Sequence, residues 1–141
     1  MPIAITVTEG VFTPQSEQRA FDELSQSFLK AHSLTGNAFM TPNVIGDINV
    51  RAKGKTFSGG KPDNLVIVEL KVPSFALSEP AQKKAWVAEA TDIILRASEG
   101  RVARERIYIN MVYAVEGLWG IGGKAYTNPE LVEAVQGAGQ G

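Results

Sequence analysis

The chain has 141 residues, and 14 Lys or Arg face 15 Asp or Glu for a net charge of −1 at pH 7. Charge this balanced gives no reason to expect nucleic acid or an anionic membrane as a partner. With no cysteine and a single histidine, His32, disulfides, thiol catalysis, cysteine metal sites and a histidine-rich metal site within one chain are excluded.

A hydrophobic fraction of 44% suits one domain, or one compact duplicated domain. No long apolar run and no basic leader is evident, so a soluble cytoplasmic protein without cofactor or metal is expected.

The first strand is expected near residues 3–8, where Ile3, Ile5 and Val7 alternate with smaller residues. Pro2 opens it, which a strand start tolerates because no ladder donor is needed there. Removal of Met1 would also leave Pro2 with a free secondary amine, a base that no other residue of the chain offers. A helix follows near 14–32. Pro14 stands in its first turn, and Phe21, Leu24, Phe28 and Ala31 form its stripe. His32 falls at its end, where a cation complements the dipole. Residues 33–43, with Gly36, Asn37 and Pro42, read as a loop, and a second strand runs near 44–51.

The pattern then returns. A strand is expected at 65–72 and a helix near 78–98, with Ser78 as its cap and Ala81, Ala85, Ala88 and Leu95 on one side. A closing strand runs near 106–114. Gly117, Gly120, Gly122 and Gly123 come next, then a short helix near 128–136 introduced by Asn128-Pro129.

The two halves share a constant spacing. Ile3, Ile5 and Val7 stand 63 residues before Val66, Val68 and Leu70, as Phe12 does before Phe75. Gly59-Gly60-Lys61 recurs at the same spacing as Gly122-Gly123-Lys124. This reads as an internal duplication, about 2–61 and 65–124, within a single domain spanning 1–141. Neither Gly-Gly-Lys is a phosphate loop: the earlier glycine is missing, and no Ser or Thr follows Lys61 or Lys124.

Strand–helix–strand units with helical crossovers imply parallel pairing within each unit. The expected fold class is α/β: duplicated β-α-β units forming a four-stranded mixed sheet with two helices on one face. By parity the other face carries Pro2, Ala4, Thr6 and Thr8; Ile45, Asp47, Asn49 and Arg51; Leu65, Ile67, Glu69 and Lys71; and Tyr108, Asn110 and Val112. A face this apolar is expected to meet other subunits. Arg51 and Lys71 are the cations that share it with Pro2.

At this point the chain resembles the tautomerase superfamily. The likeness rests on Pro2-Ile3-Ala4 with Glu9-Gly10, on Arg106-Ile107-Tyr108-Ile109-Asn110, and on Trp119-Gly120-Ile121-Gly122-Gly123. The length suits its two-unit, trimeric type, similar to macrophage migration inhibitory factor and 5-carboxymethyl-2-hydroxymuconate isomerase. The single-unit 4-oxalocrotonate tautomerase shares the Pro2 start.

The resemblance implies keto–enol tautomerisation of a small carbonyl acid, with Pro2 as general base once Met1 is gone. It also implies a homotrimer whose active sites lie between subunits. Tyr108 and Asn110 would then donate to the enolate oxygen, Arg51 or Lys71 would bind a carboxylate, and Trp119 would form an apolar wall. The chain departs from those relatives at Val11 and Met40, where they carry carboxylate-binding cations, so a diacid bound in the usual way is not expected. Two alternatives remain: dehalogenase, hydratase or decarboxylase chemistry on the same scaffold, and a catalytically silent trimeric binding protein. If Met1 stays, the Pro2 nitrogen is an amide and no base.

Overall fold

The computed structural model describes residues 1–139. Strand β1 (Pro2–Thr8) runs into helix α1 (Pro14–Ala31), a one-turn helix α2 (Met40–Asn43) and strand β2 (Ile45–Arg51). A short hairpin follows, β3 (Phe57–Ser58) and β4 (Lys61–Pro62). The second unit is β5 (Val66–Pro73), α3 (Pro80–Ser98) and β6 (Ile107–Ala114). It closes with a hairpin, β7 (Trp119–Ile121) and β8 (Lys124–Tyr126), and helix α4 (Asn128–Ala138).

The main sheet has the order β2-β1-β5-β6. β1 pairs with β2 and β5 with β6 in parallel, while β1 and β5 are antiparallel. The expected mixed sheet is therefore present, with one parallel pair per β-α-β unit. Ile3, Ile5 and Val7 of β1 and Val66, Val68, Leu70 and Val72 of β5 are buried under α1 and α3. Full burial of each such side chain is worth about 1.5–3 kcal/mol, so this layer sets the register.

α1 begins at a reciprocal cap. Ser16 N–H donates to Thr13 Oγ1 at 3.1 Å, and Thr13 N–H donates to Ser16 Oγ at 2.8 Å. Leu24 and Phe28 of its expected stripe are buried, Phe21 is half-buried, and Ala31 is exposed.

α3 differs from its sequence reading in two ways. Its cap is Glu79 rather than Ser78. Its buried face is Trp86, Ala90, Ile93, Ile94 and Ala97, whereas Ala81, Ala85 and Ala88 face solvent. The alanines share a helical spacing, but the large side chains gain far more by burial and decide the rotation of the helix.

The open face also differs at one end. Thr8 and Leu65 are buried, because the segment around Thr56 crosses over them. Thr8 Oγ1 and Thr56 Oγ1 lie 2.7 Å apart, and Leu65 N–H donates to Thr8 Oγ1 at 2.9 Å.

The two Gly-Gly turns have the same geometry. Gly59 and Gly60 have φ of 58° and 79°, and Gly122 and Gly123 have 59° and 87°. Two successive positive φ values make the turn that matches strand twist in a two-residue hairpin, and glycine takes them without strain.

Gly46 is required for a different reason. It pairs with Ile3, and a β-carbon there would collide with the Ile3 carbonyl oxygen and sit 2.6 Å from the Phe21 ring. Gly46→Ala is expected to destabilise the fold by about 3 kcal/mol, at the upper end of overpacking costs because backbone must move. Urea unfolding at equilibrium checks this. Among the described residues, no helix is long and apolar enough to cross a membrane.

Candidate active site around the amino terminus

Met1 is folded into the protein. Its side chain is 7% exposed and joins the core. Its amine donates to the Asn43 carbonyl at 2.7 Å, and Ile45 N–H donates to the Met1 carbonyl at 3.3 Å. Both partners belong to the α2–β2 junction, so the first residue is held by the strand that pairs with β1.

Met1 also lines a cavity of about 250 Å³. Phe28 of α1, Leu34 of the loop, Met40 of α2, Phe75 after β5, and Leu131 and Val135 of α4 form its walls. Because Met1 is bonded to the Pro2 nitrogen, the space that Met1 fills connects that nitrogen with this cavity. The cavity alone is smaller than the usual 300–1,000 Å³ of a ligand site; the volume of Met1 would add to it.

Asn37 holds the walls together. It is buried, its Oδ1 accepts from the backbone N–H of Phe39 and Met40, and its Nδ2 donates to the Val135 carbonyl at 3.0 Å. One side chain thus caps α2 and ties the loop to α4.

His32 closes the cavity floor, and its two ring nitrogens are both engaged. Leu77 N–H donates to Nε2 at 3.1 Å, and Nδ1 lies 2.9 Å from the Phe28 carbonyl. An acceptor at Nε2 and a donor at Nδ1 define the neutral ring. The sequence expectation of a cation set against the helix dipole is therefore corrected: His32 caps α1 as a neutral bridge to Leu77.

Burial lowers the Met1 amine from 8.0 to about 6. Between those values the folded chain binds fewer protons than the unfolded one, so a chain retaining Met1 gains stability as pH rises from 6 to 8 and loses it as pH falls through that window. The gain is expected to be about 1–2 kcal/mol, allowing for the solvent that still reaches the amine. Urea midpoints at pH 6 and 8 check it, and acetylation of the amino terminus should abolish the rise.

The sequence-predicted site residues are spread across the sheet. Pro2 is half-buried on the open face, paired with Ile45 of β2. Lys71 lies beside it, one step beyond the Ile3–Leu70 pair, and is exposed with Nζ 3.7 Å from Glu69 Oε1. Asn110 pairs with Glu69 and Tyr108 with Ile67; both stand on β6, two strands over from Pro2, and two and four residues along it from Val112, the partner of Lys71. Arg51 pairs with Thr8 at the far end of β1, roughly 20 Å away at about 3.3 Å per residue. Trp119 sits in the β7–β8 hairpin opposite Tyr126, whose ring meets Phe39 at 5.8 Å. Its indole N–H is buried without a partner among the described residues.

Within one chain Lys71 adjoins Pro2, and Tyr108 and Asn110, two residues apart on β6, adjoin each other. Val11 and Met40 are both buried, and Met40 faces the cavity.

No family model matches the chain, and no curated protein matches it by sequence. Solved structures do. A fused 4-OT symmetric trimer superposes with a TM-score of 0.75 at 9% identity, covering 93% of this chain and 98% of the other. The chain has the tautomerase-superfamily fold. N1, a member of the cis-3-chloroacrylic acid dehalogenase family, matches with a TM-score of 0.74 at 16% identity over 94% of this chain and 88% of the other. A malonate semialdehyde decarboxylase inhibited by 3-bromopropiolate matches with a TM-score of 0.67 at 12% identity over 86% and 89%. The same tautomerase fold thus carries several enzymes, by their names a decarboxylase and a dehalogenase-family member among them.

Proposed function

We propose that the chain, once Met1 is removed, is a keto–enol tautomerase acting on a small carbonyl acid through Pro2. The observation that carries this reading is the placement of the Pro2 nitrogen: only Met1 separates it from an apolar cavity. An amine there is desolvated, as the lowered Met1 amine illustrates one residue earlier. A neutral Pro2 nitrogen takes a proton from the carbon beside the substrate carbonyl, leaving an enolate, and the proline cation returns the proton at oxygen or at another carbon. Neutrality near pH 7 is what a general base of this kind needs.

The remaining roles complete this reading. The apolar residues of the open face, with Tyr108 41% and Ile45 54% exposed, support assembly as a homotrimer. In such a trimer Tyr108 and Asn110 of a neighbour reach the enolate oxygen, Lys71 or Arg51 meets the carboxylate, and Trp119 borders the pocket. Isomerisation of phenylenolpyruvate tests the reading, with the chain prepared so that Pro2 is its first residue.

A second reading keeps the scaffold but adds water to an unsaturated acid. Asp47 and Glu69 flank Ala4 in register on the Pro2 face, where a carboxylate would activate water. Halide release from 3-chloroacrylate, without isomerase activity, would favour it.

A further inference from the structure

We infer that the site selects substrates by an apolar tail, which enters the space Met1 occupies, and that it takes one polar head rather than a diacid. Its catalytic part rests on the reading of Pro2 as base; the binding part does not.

Two observations carry it. The first is the lining of the cavity. Its walls are hydrocarbon or aromatic, and no Lys, Arg, Asp or Glu contributes to them. The polar residues are Gln136 and His32, and both His32 nitrogens are already used. A second carboxylate pushed inward would lose its hydration with no cation to meet it, a cost that an aryl or branched alkyl group does not incur. Met1 itself is a four-atom apolar chain lying in this space, so the cavity already accommodates the shape of such a tail.

The second observation concerns the mouth. Removal of Met1 takes away the acceptor of Ile45 N–H and the donor to the Asn43 carbonyl. One free backbone donor and one free acceptor are then exposed beside the Pro2 nitrogen, and backbone groups left without partners are costly unless something pairs with them. The Ile45 N–H fits a carboxylate or enolate oxygen, and the Asn43 carbonyl fits an enol hydroxyl or the proline cation. The donor set is sized for a single polar head.

The test is calorimetric binding of two unreactive acids, 3-phenylpropanoate and trans,trans-muconate. The chain beginning at Pro2 is expected to bind 3-phenylpropanoate at least tenfold more tightly than muconate. The chain retaining Met1 should bind it at least tenfold more weakly, because Met1 fills the tail site. Val135→Trp, which fills the cavity, and Phe75→Ala, which removes an exposed wall, should each weaken binding severalfold; the second needs no core rearrangement.

Muconate binding as tightly as 3-phenylpropanoate, indifference to Met1, or no binding of either acid would each overturn the inference. Selective binding without any isomerisation of phenylenolpyruvate would leave the pocket standing and remove Pro2 as base.

Discussion

Pro2→Ala, in a chain lacking Met1, is expected to lower kcat/KM for phenylenolpyruvate by about 10²–10⁴, the usual share of a positioned general base. At 1.36 kcal/mol per factor of ten this is about 3–5 kcal/mol of transition-state stabilisation. The fold should tolerate the change. Pro2 is half-buried at the start of its strand, and in a chain lacking Met1 its nitrogen is a terminal amine for proline and alanine alike, so the change removes no ladder hydrogen bond. Retention of Met1 should have a larger effect through two causes. The Pro2 nitrogen becomes an amide with no basic lone pair, and the Met1 side chain occupies the cavity. Steady-state kinetics on the three proteins, each with its amino terminus established by intact mass, checks the series. A residual rate in Pro2→Ala is consistent with the account, since alanine still presents a primary amine.

Trp86→Ala should have the largest effect on stability, about 3–5 kcal/mol. Trp86 is 2% exposed and meets Phe28 edge-on, with ring centroids 6.2 Å apart, so it joins the two main helices. Against a typical total of about 5–15 kcal/mol this removes a large part of the margin. The expected fall in Tm is about 10–15 °C. Trp86→Phe separates packing from polarity. The indole N–H is buried without a partner among the described residues, so losing it offsets part of the lost volume and the cost should fall to about 1–2 kcal/mol. Because Phe28 also forms a cavity wall, Trp86→Ala should weaken substrate binding even where the protein remains folded.

The sheet was legible in the sequence because period-two alternation and burial are the same signal. Ile3, Ile5 and Val7, and Val66, Val68 and Leu70, are the residues that lie beneath the helices. The repeated Gly-Gly was visible in the sequence at a spacing of 63 residues, but the short hairpins it turns were not read from it, because strands of two or three residues are too short to show alternation.

The face of α3 was not legible from its alanines. Small side chains bury little area, and Trp86, Ile93 and Ile94 outweighed them. His32 misled because the dipole argument sees only its own helix, whereas Leu77, 45 positions later, supplies the N–H that uses its lone pair.

Pro2 could be singled out by chemistry alone, since only an amino-terminal proline carries a secondary amine. Its surroundings could not. Met40, Phe75, Leu131 and Val135 come from a one-turn helix, a loop and the last helix, and Met40 and Phe75 stand in segments too short or irregular to show periodicity. Asn37 read as an ordinary loop residue. Only the fold reveals that its amide spans α2 and α4.

The central claim is a desolvated, uncharged amine at Pro2, and the most direct measurement is its titration. In a chain beginning at Pro2 and labelled with ¹⁵N-proline, the amino-terminal nitrogen can be followed by NMR across the pH range. The account predicts a midpoint below the ordinary α-amino range of about 7.7–8.0, even though a proline amine is intrinsically more basic. A midpoint at or above that range would place a charged, solvated amine at Pro2 and contradict its role as the base.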